Sequence, residues 1–122
     1  MENRVLVVDD NEFMLSLICQ ILDDQGYEVK TLTRAKGLIE HIQKYHPNLI
    51  ILDVELPDGD GRELCNQIKL SDETHAIPVV MCSGMDDLGD YFKQIKPDGI
   101  LPKPFDMSRL IELVEEKLPL AA

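Results

Sequence analysis

Hydrophobic residues in this chain come in short blocks that alternate between two periods. Val5-Leu6-Val7-Val8, Leu49-Ile50-Ile51-Leu52 and Val79-Val80-Met81-Cys82 are unbroken apolar runs, the pattern of strands covered on both faces. The segments between them have helical spacing. Met14, Leu17, Ile18, Ile21 and Leu22 mark a buried helix face over residues 12–25, which Gly26 ends; this spacing leaves Phe13 and Leu15 outside the inner stripe. Glu28–Leu32 reads as a second strand. Ala35, Leu38, Ile39 and Ile42 mark a second helix ending before Pro47.

After Leu49–Asp53 and a Pro57-Asp58-Gly59 turn, a third helix is predicted from Asp60. Asp60 is its N-cap and Glu63 the capping partner, with Leu64, Cys65 and Ile68 inward. Ile77–Cys82 is a fourth strand, with Pro78 tolerated near its start. A short, weak helix covers 87–96 and a brief strand 99–101. Asp106 caps a last helix with Met107, Leu110, Ile111, Val114 and Leu118 on one face. Strict alternation of strand and helix implies a parallel sheet with helices on both sides. The expected architecture is a doubly wound α/β fold with strand order 2-1-3-4-5.

Composition narrows the function. The 122 residues are expected to form one domain over 1–122, and 44% apolar content suffices for a core. The chain lacks an apolar run of the roughly 20 residues that a membrane span needs. Its start lacks the charged, apolar and cleavage regions of a signal peptide. A soluble cytoplasmic protein is expected. Cys19, Cys65 and Cys82 form no CxxC pair and fall in apolar patterns, so reduced thiols are expected rather than a disulfide or metal site. His41, His46 and His75 have no zinc-ligand companions and are expected on the surface or in loops. With 23 acidic against 12 basic residues and net charge −11, the surface is unsuited to gripping nucleic acid.

The strand ends carry the chemistry. Asp9 and Asp10 follow the first strand, Asp53 ends the third, Ser83 follows the fourth, and Lys103 follows the fifth through Pro102. Ligands of open parallel sheets bind outside these carboxyl ends, and the first and third strands flank the switch point. Carboxylates packed at about 4 Å repel by roughly 4 kcal/mol per pair at an effective dielectric near 20. A divalent cation relieves this; oxygen-only ligands suit Mg²⁺, and Mn²⁺ shares the preference. Ser83 and Lys103 opposite the metal would meet the equatorial oxygens of a phosphoryl group. Ser83 has no partnering base in any motif, so a carboxylate is the better nucleophile, giving an aspartyl phosphate. Singly, each residue reads as a turn, cap or surface charge; together at four strand ends they do not. Residues 58–61 suggest an EF-hand loop, but its sixth and twelfth positions would be Glu63 and Lys69 instead of Gly and Glu.

Val-Val-Asp9-Asp10, Asp53 with Pro57 and Asp60-Gly61, Ser83-Gly84, and Lys103-Pro104-Phe105 together resemble the receiver domain of bacterial response regulators, in order and across essentially the whole chain. The resemblance implies a flavodoxin-like (βα)₅ fold of stand-alone, single-domain type. It implies Asp53 as phosphoacceptor, Mg²⁺ on Asp10, Asp53 and the backbone carbonyl of Glu55 with Asp9 as a further ligand or an outer-shell partner through water, and Ser83, Gly84 and Lys103 as phosphoryl-binding residues. It also implies a cis Lys103–Pro104 peptide, a histidine kinase or histidine phosphotransfer protein as donor, and a downstream protein as target. The protein would catalyse only its own phosphorylation and dephosphorylation.

Two departures fall on the family's output face. Ser83 and residue 100 are the switch positions, and Ile100 stands where the family has Tyr or Phe; isoleucine cannot repeat the ring movement. The Ser83–Lys103 interval is slightly short, and Asp86, Asp87, Gly89 and Asp90 make a poor helix start. The Glu55 side chain either reaches Lys103 or a metal-bound water, or faces solvent. Phe13 and Leu15 lie on the helix beside which the family's donor usually docks. The competing readings are a pseudo-receiver that never carries phosphate and, ranked last, an aspartyl-phosphate phosphatase, for which the chain lacks a cap domain and an evident second acid.

Overall fold

The computed structural model describes residues 3–84, 97–104 and 106–118. Strand β1 (Arg4–Val8), helix α1 (Glu12–Asp24), β2 (Glu28–Leu32), α2 (Leu38–Tyr45) and β3 (Leu49–Asp53) alternate as expected. A small hairpin follows, β4 (Glu55–Leu56) with β5 (Gly59–Asp60), where the sequence suggested a plain turn. Then come α3 (Gly61–Leu70), β6 (Val79–Ser83), β7 (Gly99–Pro102) and α4 (Met107–Lys117). The main sheet is parallel, in the order β2-β1-β3-β6-β7. Counted among themselves, its strands have the predicted order 2-1-3-4-5. The helix expected over 87–96 lies outside the described residues.

Pleating divides the apolar runs between two cores. Val5, Val7, Ile51 and Val80 face α1 and α4, where Ile18, Leu22, Leu110 and Val114 meet them. Leu6, Val8, Ile50, Leu52, Val79 and Met81 face α2 and α3, against Leu38, Ile42, Cys65 and Ile68. Each fully buried aliphatic side chain contributes roughly 1.5–3 kcal/mol. The central strands β3 and β6 are buried at every position. Edge strand β2 carries Glu28 and Lys30, charges that discourage further strand addition.

Three local expectations are corrected. Leu15 belongs to the core, only 6% exposed, because α1 is covered by α4 as well as by the sheet; its buried stripe is Leu15, Ile18, Ile21 and Leu22. In α4, Leu113 is buried while Met107, in the opening turn, is half exposed. The Asp60 cap accepts from the Arg62 N–H (2.9 Å), and its carboxylate is held by the Arg62 guanidinium (2.8–3.2 Å). Glu63, the expected partner, points to solvent. Cys65 and Cys82 are buried free thiols, pushed up by burial to about 11 and about 12 respectively. Cys19 is a partly buried free thiol. His46 and His75 are exposed and His41 is partly buried. Among the described residues, no helix is long and apolar enough to cross a membrane.

Candidate functional site

Strand register sets the site. Val8 is level with Leu52 across β1 and β3, so Asp9 and Asp53 sit side by side one residue further on. Asp53 is level with Cys82, so Ser83 lies one step beyond it; Ser83 is level with Pro102, so Lys103 lies one step beyond that. The strand ends therefore form a staircase, anchored by the Val54 N–H on the Cys82 carbonyl (3.0 Å) and the Lys103 N–H on the Ser83 carbonyl (2.8 Å). From the far end the lysine reaches back. Its ammonium donates to Asp9 Oδ2 at 3.0 Å and to Asp53 Oδ2 at 3.2 Å. The Lys103–Pro104 peptide is cis.

Asp9 and Asp53 are buried, 3% and 7% exposed, while Asp10 faces solvent. One carboxylate oxygen from each of the three lies within 4.8 Å of the others. Hard oxygen donors this close, open to water on the Asp10 side, fit a small divalent cation that keeps several waters. A cleft of about 620 Å³ brings together Asp9, Asp10, Asp53, Glu55, Ser83, Gly84 and Lys103. Every predicted site residue lines it except Pro104, which carries the cis peptide, and Ile100, which lies on β7 level with Met81 and is 43% exposed.

The sequence reading missed Asn11, which also lines the cleft. Its N–H donates to Asp9 Oδ1 (2.9 Å) and its side chain caps α1 by accepting from the Met14 N–H (3.1 Å). A polar residue between strand and helix was the available signal. A second cleft of about 640 Å³ lies at the opposite rim, by the N-terminal ends of β1, β3 and β6. There Arg4 already donates to the His46 carbonyl and Asn48 accepts from the Arg4 N–H; the acids converge at the first cleft.

Burial is the largest influence on Asp53 and raises its carboxyl above the ordinary value of 3.8; Lys103 opposes this, and Asp9 adds to it. Burial also works against the charge on Lys103. There the hydrogen bond to Asp9 and the fields of Asp53 and Asp9 prevail, and the ammonium is held above its usual value. Asp53 thus holds its proton more tightly because it is buried, and Lys103 because two carboxylates surround it. The folded-state value of Asp53 exceeds the unfolded one, so its contribution to stability is full below the unfolded value and is lost as pH rises through the folded one. Ionised Asp53 therefore costs stability at neutral pH. Asp53→Asn is expected to melt above the wild type at pH 7 without divalent cations, with the gap closing near pH 4. A lower melting temperature for the variant at pH 7 would contradict this assignment.

Residues 5–115 match the family model described as the response regulator receiver domain. The chain belongs to that family. It is 36% identical over 122 residues to the nitrogen assimilation regulatory protein NtrX of Azorhizobium caulinodans, covering 97% of this chain but 26% of that protein. It spans about a quarter of that relative's length. It is 30% identical to the polar-differentiation response regulator DivK of Brucella ovis, covering 97% of this chain and 98% of that one. Among solved structures, a CheY-like response regulator receiver domain protein from Methanospirillum hungatei matches with TM-score 0.88 and 29% identity over 97% and 94% of the two chains. Chemotaxis protein CheY4 of Vibrio cholerae matches with TM-score 0.87 and 26% identity over 97% and 100%. Receiver domains are phosphoacceptor signalling modules of two-component systems. They bind Mg²⁺ at an acidic pocket and interact with histidine kinases or phosphotransfer proteins and with downstream targets.

Proposed function

We propose that this protein is a single receiver domain over residues 1–122 that accepts a phosphoryl group from a phosphohistidine onto Asp53 and signals through protein contacts. The observation that carries the reading is the Lys103 ammonium bridging buried Asp9 and Asp53 at the mouth of the cleft that also holds Ser83. An Asp53 oxygen bonds to phosphorus as the phosphorus–nitrogen bond to the donor imidazole breaks, and the released nitrogen takes a proton from solvent. Asp9, Asp10, Asp53 and the Glu55 backbone carbonyl would hold Mg²⁺, which supplies positive charge to the phosphoryl oxygens. Lys103 follows the charge from the free carboxylate to the acyl phosphate, and Ser83 and Gly84 supply hydrogen bonds to the same group.

Output by this reading does not use rotation of an aromatic ring, because residue 100 is isoleucine. The cognate donor is a histidine kinase or phosphotransfer protein, and the location is the cytoplasm.

Incubation with acetyl phosphate and Mg²⁺, read by intact mass, tests the proposal. One phosphoryl increment is expected, removable by hydroxylamine and mapping to the peptide that contains Asp53. Absence of the increment would favour a pseudo-receiver. Turnover of unrelated phosphoesters would favour a phosphatase.

A further inference from the structure

The β4–β5 hairpin makes one wall of the cleft through Glu55, Leu56 and Pro57. At its base, the Glu55 N–H approaches Asp53 Oδ1 at 3.4 Å. Its tip is held from outside the site. The Asp58 carboxylate accepts from two consecutive backbone N–H groups of the β2–α2 loop, Ala35 at 2.6 Å and Lys36 at 2.9 Å. Each oxygen takes one donor, so the carboxylate grips the loop as a fork, with charge-assisted bonds. The Ala35 bond, helped by Lys36, outweighs desolvation and holds this exposed carboxyl below its ordinary range. The next residue reinforces the contact, because a Cβ at Gly59 would sit 3.1 Å from the Ala35 Cβ. Gly37, the N-cap of α2, makes no side-chain capping bond. Asp58 thus supplies, from another loop, an anchor for the segment entering that helix.

We propose that Asp58 is a positioning residue for the phosphoryl site: by tying the hairpin tip to the β2–α2 loop, it holds the Glu55–Pro57 wall in metal-binding geometry. This rests on the phosphoacceptor reading above, in which the Glu55 carbonyl is a metal ligand. Asp58 touches neither metal nor phosphoryl group; it acts through the four-residue strip, Val54 to Pro57, between itself and Asp53. Preorganisation of this kind sets ligand affinity more than the rate of the chemical step once the ligand is bound.

The test compares wild type, Asp58→Asn and Asp58→Ala, each confirmed folded by circular dichroism, in calorimetric titrations with MgCl₂. Asp58→Ala is expected to bind Mg²⁺ about tenfold more weakly, the low end of outer-shell effects on metal sites. Asp58→Asn, which keeps one acceptor oxygen, should fall between. The rate of adduct formation from acetyl phosphate should recover at saturating Mg²⁺, a split that general loosening of the fold would not give. Wild-type Mg²⁺ affinity in folded Asp58→Ala, or a loss that only tracks its unfolded fraction, would overturn the inference. If the wild type binds Mg²⁺ but takes no phosphoryl group, the phosphoacceptor reading fails, and the role of Asp58 is judged on the Mg²⁺ affinities alone.

Discussion

Gly61→Ala is expected to lower the melting temperature by roughly 10 °C, the counterpart of about 3 kcal/mol of overpacking in a domain of this size, and to impair phosphoryl uptake with it. Gly61 opens α3, and its N–H donates to the Val54 carbonyl at 2.8 Å. A Cβ there would lie 2.0 Å from the Asp53 backbone oxygen, 2.9 Å from its carbonyl carbon and 3.0 Å from the Val54 Cα. All three are backbone atoms at the strand end that carries Asp53, so no side chain can swing aside. Relief requires the start of α3 or the end of β3 to move, and the second displaces Asp53 from Lys103. Thermal melting and intact-mass phosphorylation check both halves. A variant that melts within about 2 °C of the wild type, well under 1 kcal/mol, would show that the contact is relieved cheaply.

Among variants that keep Asp53, Lys103→Met should have the largest effect on the chemistry. Methionine keeps most of the side-chain volume and removes the ammonium that touches both Asp9 and Asp53. Losing one preorganised charge from a phosphoryl-transfer site costs on the order of 10²-fold in rate. Leaving two buried carboxylates without their shared partner also costs stability. The lysine side chain is 26% exposed, so the full penalty of several kcal/mol for breaking a buried pair is discounted to about 2 kcal/mol. Mg²⁺ can take over the counter-charge. The rise in melting temperature on adding Mg²⁺ should therefore be larger for Lys103→Met than for the wild type. An equal rise would mean that the ammonium is not what balances the two acids.

Much of the site was legible because a parallel sheet delivers its strand ends to one rim. Asp9, Asp10, Asp53, Ser83 and Lys103 were found by reading the residue after each apolar run, and all five line one cleft. Asn11 and Asp58 were not found as parts of the site. Both act through backbone N–H groups, Asn11 donating its own to Asp9 and Asp58 accepting those of Ala35 and Lys36. Side-chain type does not announce such bonds. Leu15 was misjudged for a related reason: helical periodicity reports one buried face, and α1 is covered from two directions.

By itself, the sequence determined the alternation of strands and helices, the order of the parallel sheet, the family and the side chains that gather at the cleft. These follow from local apolar periodicity and from motifs spaced along one chain. Only the tertiary structure decided that Lys103 bridges Asp9 as well as Asp53, that burial holds the Asp53 proton more tightly, that Gly61 abuts the backbone of Asp53, and that Asp58 ties the hairpin tip to the β2–α2 loop. Each depends on distances between segments remote in the chain, set by strand register and loop packing.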